Sequence, residues 1–514
     1  MVRKVINFKN LENYLINDPI LDWLDLYGNL YSYEKDKIIE DNFILKKSID
    51  FKGNSIKELL TNLNIKFLYS NRKTIIYNNY LNKDFYYNLL IRYFNYETQI
   101  DLLLSSKFVK KLYDLDINDK SYCMIKFAYF TGKVKKNNIL SNDKRHLLLK
   151  YRIFYDYNLV SRYHNISPKI IIVFRNIKLS KENYIIYDIN TDFSFLKKNI
   201  SLAKKWYKFL LLHGSSINLD SKEKKIELYP NMKNLNDNSW RRAKEIIANK
   251  YNEITLIWNM SYKDRNFIIE KYNVDSWDKI ELDMINKSEK KKKIIYGIIN
   301  INKGTDLTNF DSKNIIKRSE DKEIFVDYEL LNNIFTEDIN FIEDTFVFMI
   351  GALFIDRKNG TLKYKYYLVE NISTKFEKKI FNDLVYDIKQ FSNNISISVY
   401  HWGDIESIIY KNIKKKYNID YSINFFDLNK IIKNENIFIK SCFNYSLKSV
   451  GKALITNNII KSSWKSNVSD GFEAMIEYYN ILKKKDLLNG LCDLVKYNYA
   501  DVKILQEIKD WIYK

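Results

Sequence analysis

Residues 324–330 read Ile-Phe-Val-Asp-Tyr-Glu-Leu, and the alternation within them decides how the C-terminal third is understood. A short apolar run of this kind fits a β-strand. Residues two apart on a strand share a face, so Asp327 and Glu329 point one way and Tyr328 the other. Two carboxylates side by side on an apolar strand repel each other unless a cation stands between them.

Two further acidic positions follow. Glu406 ends VYHWGDIE (399–406), in the first turn of the helix expected after the strand ISISVYHW (395–402). The C-terminal ends of strands are where α/β folds place their sites. Asp404 is a rival for the same role, or the N-cap of that helix, a position that favours Asp. His401 lies beside them, read as a strand residue making a packing or hydrogen-bond contact. Asp501 follows Tyr497 by four residues in KYNYADV (496–502), one helical turn, so the two share a face. Carboxylates gathered in this way suit two hard divalent cations, and such a pair can cut a phosphodiester.

The flanking sequence gives the frame. TFVFMIGALFI (345–355) and LKYKYYLVE (362–370) read as the next two strands. KFEKKIFNDLVYDIKQF (375–391) and DIESIIYKNIKKKY (404–417) read as helices, and DLVKYNYADVKILQEIKDWIY (493–513) as a long final helix. Three strands, helix, strand, helix and a late helix is the order of an RNase H-like domain. IIYGIININ (294–302) reads as a further strand, and the basic run KSEKKKK (287–293) as a solvated connector. Three regions result: 1–190, mixed helix and strand; 191–293, mainly helical; and 294–514, α/β. In the first, IDLLLSS (100–106), YCMIKFAYF (122–130) and KIIIVFRN (169–176) read as strands, with a helix over 147–164. In the second, SWRRAKEIIANKYNEITLIW (239–258) has helical spacing, capped by Asn238 or Ser239. Trp240, Trp258 and Trp277 read as core.

The 514 residues include 46 % hydrophobic residues, enough for sizeable cores, and 84 Lys and Arg against 63 Asp and Glu, a formal +21. That excess fits a polyanionic partner, nucleic acid above all, although an AT-rich coding sequence would also enrich lysine. Three widely spaced cysteines, Cys123, Cys442 and Cys492, argue against a disulfide framework or zinc cluster. With no apolar run of 18 residues and no signal-peptide core, the expectation is an intracellular, cytoplasmic protein without a membrane partner. The sequence names no protein partner.

Together the acidic parts resemble the DEDD family of 3′-to-5′ exonucleases, with D-x-E on the first strand, an acid after the fourth, and Tyr-x3-Asp on the last helix. The closer similarity is to the YprB type of RNase H-like domain, in the version fused behind a RecB-type nuclease domain. It runs through FVFMIGALF, VYHWGDIE, FFDLNKII (425–432), NYSLKSVGKAL (444–454), DGFEAMIEYY (470–479) and YNYADVKILQEI (497–508), and covers 320–514 nearly continuously. The resemblance implies phosphodiester hydrolysis by two Mg²⁺ or Mn²⁺ ions held by Asp327, Glu329, Glu406 and Asp501, with Tyr497 orienting the attacking water. It aligns Glu406, rather than Asp404, with the acid after the fourth strand, where Asp is usual. Asp427 matches a recurring position and is read as supporting.

The same fused family begins with a PD-(D/E)XK, RecB-like fold, which Asp101 at the end of a strand matches. Where acid-x-Lys is expected on the next strand, the chain has Met124-Ile125-Lys126; where Lys-x-Gln is expected on the helix, it has Lys150-Tyr151-Arg152. A thioether is a poor ligand for a hard cation, so this site is expected to be degenerate. Lys126, Lys150 and Arg152 remain as candidate nucleic-acid contacts. The middle region resembles the family through residues 226–258 and 265–280. The expected whole is a degenerate nuclease fold, a helical module and an RNase H-like nuclease acting on DNA or RNA. The alternative is a non-catalytic nucleic-acid-binding factor with both folds inactive.

Overall fold

The structure, a computed structural model, describes residues 5–36, 40–63, 74–75, 84–114, 121–135, 139–177, 182–221, 224–237, 239–309, 320–332, 345–393, 397–466, 468, 470–484 and 487–514. The chain divides into two compact units, Met1–Glu253 and Ile254–Lys514. The stretch 191–293, read from sequence as one module, is split between them.

The first unit is built on helices α1 (Lys9–Leu15), α2 (Ile20–Tyr27) and α3 (Glu40–Asn62), then strands β1 (Thr74–Ile75), β2 (Phe85–Tyr93) and β3 (Tyr96–Ser105). After α4 (Ser106–Tyr113) come β4 (Tyr122–Gly132), α5 (Lys144–His164), β5 (Lys169–Ile177), β6 (Tyr184–Ile186), α6 (Phe193–His213) and α7 (Arg241–Lys250). Among the described residues the strands form one sheet in the order β1-β2-β3-β4-β5-β6. β2, β3 and β4 are antiparallel, while β5 returns parallel to β4 after α5, the expected β-β-α-β order. Alternation divides the sheet cleanly. Leu103, Met124 and Ile172 pack with Phe154, Tyr155 and Leu196 of α5 and α6; Leu102, Leu104, Ile125 and Ile171 face the opposite side, with Val109 of α4.

Two expectations change in the middle of the chain. The helix expected over 239–258 stops at Lys250, because Asn252 takes a left-handed backbone and a 3-10 turn, Ile254–Leu256, follows. Its cap position is Trp240, with no side-chain bond; Ser239 is left-handed, and Asn238 lies outside the described residues. Trp240 and Trp277 are core, as expected, and Trp258 is half-buried against the second unit's core.

The second unit opens with α8 (Tyr262–Tyr272) and α9 (Glu289–Lys303). α9 overturns both the strand expected at 294–302 and the connector at 287–293. Ile294, Ile295, Ile298, Ile299 and Ile301 are buried, a helical stripe rather than an alternation, and the lysines form its first turns.

Next come β7 (Thr308–Asn309), β8 (Lys322–Asn332), β9 (Thr345–Asp356), β10 (Thr361–Leu368), α10 (Thr374–Ser392), β11 (Ser398–His401), α11 (Ile405–Tyr417) and β12 (Asn424–Asp427). α12 (Leu428–Asn434), β13 (Phe438–Ile439), α13 (Leu447–Thr456), α14 (Gly471–Lys484) and α15 (Leu487–Ile512) complete the unit. Its main sheet, among the described residues, has the order β10-β9-β8-β11-β12, antiparallel through β8, β9 and β10 and parallel at β11 and β12.

β8 is central and covered on both faces. Tyr328 points toward α10, its ring 5.6 Å from that of Phe381. Phe325 points the other way, into a cluster with Leu353, Tyr400, Val502 and Leu505 that seats α15 on the sheet. Asp327 and Glu329 share the face of Phe325, so α15 lies over them.

One glycine permits that seating. Gly351 pairs with Asp327 across β8 and β9, and a Cβ built on it would stand 1.5 Å from Oδ1 of Asn498 on α15. Gly351→Ala is therefore expected to cost about 1–3 kcal/mol by overpacking, read from urea unfolding. Asn498→Ala should recover part of that loss in a double-mutant cycle; strict additivity of the two substitutions would refute the close approach.

A candidate metal centre

Three of the expected acids meet. One carboxylate oxygen each from Asp327, Glu329 and Asp501 lies within 4.8 Å of the others. β8 supplies two of these residues and the middle of α15 the third. Glu329 and Asp501 are buried, whereas Asp327 keeps an opening to solvent while protein crowds its other sides.

Asn498, fully buried, spaces the pair on β8: its amide donates to Asp327 Oδ2 at 2.8 Å and to Glu329 Oε1 at 3.3 Å. Its own oxygen accepts from the Tyr364 hydroxyl at 3.0 Å. The Trp464 indole donates to Asp501 Oδ1 at 2.8 Å, and the Tyr497 hydroxyl lies on the same side of α15. The Lys448 ammonium stands 4.8 Å from the Tyr497 ring centroid.

Burial is the largest cause of every shift here. It raises Asp327 well above the usual carboxylate range, helped by the charges of Glu329, Asp501 and Glu406. Glu329 rises to about 7 through burial and the charge of Asp501, against the bond from Asn498 and the charge of Lys448. Asp501 rises to about 6 through burial, against Trp464, Lys448 and Tyr497. Burial also raises Tyr497, with Asp501 next, so the phenol keeps its proton. The donor set is all oxygen, dense and under-compensated, which fits a hard divalent cation.

Glu406 lies outside this trio. It is buried in the first turn of α11, with Oε2 3.2 Å from His401 Nδ1. It is near enough for its charge to act on Asp327. His401 packs edge-on against Phe425 as well, as its strand position suggested. Asp404 does not enter the site: it is exposed, occupies the N-cap position without a side-chain cap bond, and pairs with Lys430. Asp427 lies at the junction of β12 and α12. Its carboxylate caps α12 by accepting from the backbone of Asn429 and Lys430, and takes the N–H of Gly403 at 2.8 Å.

The acids of the first unit show a different pattern. Asp101 is bonded by Lys52 at 2.6 Å and paired with Lys126 at 3.2 Å. Burial alone would raise its carboxyl; Lys126 and Lys52 overcome this and hold it well below the usual range. Lys126 also reaches Asp156, which Arg152 grips at 3.1 Å. Met124 is buried in the core, against the sheet's larger helices. Ammonium groups of the chain thus stand against both acids, Asp101 and Asp156. Lys150, expected as a phosphate contact, is corrected: it is 1 % exposed and bonded to Asp192 at 2.7 Å and Asn142 at 2.6 Å. Lys126 and Arg152 are also paired with carboxylates, Lys126 with Asp101 and Asp156 and Arg152 with Asp156.

Asn498, Gly351, Trp464, Tyr364 and Lys448 were not expected from sequence. Asn498 alone left a signal, lying between Tyr497 and Asp501.

A family model described as the RNase H superfamily matches residues 334–513. The match takes in Glu406, Tyr497 and Asp501, and begins after Asp327 and Glu329. No curated protein matches the chain. The chain is thus a mixed α/β protein whose C-terminal region is RNase H-like, a nuclease-type fold.

Proposed function

We propose that the C-terminal unit is a metal-dependent nuclease that hydrolyses phosphodiester bonds of DNA or RNA, as a 3′-to-5′ exonuclease of the DEDD type. The observation that carries this reading is the convergence of Asp327, Glu329 and Asp501 within 4.8 Å, with burial raising all three carboxyls.

These three carboxylates would hold Mg²⁺ or Mn²⁺, with Glu406 as the fourth acid. A pair of such ions, when bound, supplies an activated water and stabilises the charge on the leaving oxygen. The chain's own groups set the stage. Trp464 fixes one oxygen of Asp501, leaving the other to ligate. Asn498 bridges Asp327 and Glu329 through its amide. Tyr497, kept protonated beside Asp501, is placed to orient water. His401 fixes the rotamer of Glu406.

The first unit we read as a PD-(D/E)XK-like fold whose metal site is filled by lysines. The replacement of an acid by Met124 and the Lys52–Asp101–Lys126 cluster support this. The domain limits 1–190, 191–293 and 294–514 belong to the same reading.

Mn²⁺-dependent degradation of labelled single strands is expected in the wild type, with loss of about 100-fold or more in Asp327→Asn and in Asp501→Asn. A 3′-blocked substrate should resist. Equal, negligible cleavage by wild type and Asp327→Asn would sink the proposal. Asp101→Ala should cleave as the wild type does; cleavage that survives Asp501→Asn and is lost on adding Asp101→Ala would place the activity in the first unit instead.

The raised carboxyls give a second test. A group whose folded pKa lies above its unfolded one binds extra protons in the native state, so stability falls as pH rises through that window. For Asp501 and Glu329 the window runs from the ordinary carboxylate values up to about 6 and about 7. In EDTA the unfolding midpoint should therefore fall between about pH 5 and pH 7.5, less so in Asp501→Asn. Added Mn²⁺ should raise the midpoint more at the higher pH. A pH-independent effect of Mn²⁺, matched in Asp327→Asn, would show that the ion does not bind there.

A further inference from the structure

The first unit carries a surface whose chemistry none of its acids explains. Tyr93 and Tyr96 face each other at the end of the β2–β3 hairpin, and the loop between them begins with Phe94. Phe94 has φ of 55° and is 84 % exposed. Glycine is the usual residue where a two-residue hairpin loop needs positive φ, because a side chain is strained there. The ring is therefore both strained and wet; among the described residues its ring contact is the edge-on one with Tyr93 at 4.7 Å. A buried ring would explain such strain by packing; this one leaves most of its surface in water.

Beside it opens a cleft of about 410 Å³, lined by Phe94, Tyr96, Tyr155, Arg162, Lys197 and Lys204 among others. The Lys204 ammonium lies over the Tyr96 ring at 4.2 Å and near Tyr155 at 5.2 Å, and Lys208 approaches Tyr96 at 5.6 Å. Among the described residues no carboxylate pairs with Arg162, Lys197, Lys204 or Lys208; Glu97, on the same strand as Tyr96, is taken by Arg92 at 2.9 Å. Burial, then the charges of Arg162 and Lys208, lowers the Lys204 ammonium to about 8. Cations gathered without an anion repel one another, and an anion entering the cleft would relieve that repulsion.

We propose that this cleft binds one nucleotide unit of a single-stranded nucleic acid, its base stacked on Phe94 and its phosphate among Arg162, Lys197 and Lys204. An exposed ring beside unpaired cations is the pairing of stacking platform and basic track that single strands require. A phosphate-only ligand would use the cations and leave the strained ring without a role. The inference is independent of the acidic centre, since binding needs no cleavage.

The test is fluorescence anisotropy of a labelled oligothymidylate with the full chain in EDTA, at two salt concentrations. Phe94→Ala should weaken binding by about 5- to 100-fold, the range for loss of one stacked base. Arg162→Ala and Lys204→Gln should each weaken binding and reduce the salt slope by about one. Phe94→Gly should lower affinity while keeping or raising the unfolding midpoint, which separates loss of a ligand contact from loss of fold. Thymidine 5′-monophosphate should compete, and inorganic phosphate should compete only at far higher concentration. Wild-type affinity and salt slope in both Phe94→Gly and Arg162→Ala would overturn the proposal. Equal competition by phosphate and the nucleotide would overturn its stacking half. Loss of cleavage elsewhere in the chain would leave these readings untouched, so the two proposals fail separately.

Discussion

Like charge held at short range is the constraint around which the second unit is arranged. Asp327, Glu329 and Asp501 are drawn within 4.8 Å under a helix that shuts out most of the water, an arrangement unfavourable for three anions. The apolar contacts nearby oppose that repulsion. Phe325, Leu353, Tyr400, Val502 and Leu505 clamp α15 onto the sheet at the level of the acids. Asn498 donates to two of the carboxylates and Trp464 to the third, which orients them and leaves oxygens open to a ligand. Local stability is thus given up at one point and supplied by packing a turn away.

The Asp101 cluster and the Asp327 cluster are compensated in opposite ways. Asp101 and Asp156 sit among Lys52, Lys126 and Arg152, and the lysine charges hold the Asp101 carboxyl low, so the cluster is complete within the chain. Asp327, Glu329 and Asp501 are held high, with Lys448 as the cation acting on Glu329 and Asp501. A satisfied cluster gives no reason for a metal to enter, while an unsatisfied one does. That contrast, rather than the acids alone, is why the nuclease reading falls on the C-terminal unit.

Period two made Asp327 and Glu329 legible, and one helical turn made Tyr497 and Asp501 legible, because both relations live within single elements. The rest of the site depends on contacts between elements. Asn498 reaches β8 because Gly351 stands opposite Asp327, and no local pattern reports that register. Trp464 lies on an irregular segment with no period to read. The isoleucines of α9 misled because β-branched residues favour strands, while their spacing, 294, 295, 298 and 299, was helical. Lys150 looked like a surface charge on a helix; its partner Asp192 is 42 residues away, and burial followed from that pairing.

Strain without packing is a different kind of signal from a motif, and Phe94 illustrates it. Backbone conformation and exposure separately carry little weight, since left-handed residues and exposed rings are both found on ordinary surfaces. Their coincidence matters because each removes the common explanation of the other. A ring that packs could justify a strained backbone, and a relaxed backbone would leave an exposed ring unremarked. Arg162, Lys204 and Lys208 add a third term of the same sort, charges with no counter-charge among the described residues. Unfavourable features gathered around one cleft are most simply resolved by a ligand that stacks and carries negative charge, and a nucleotide does both.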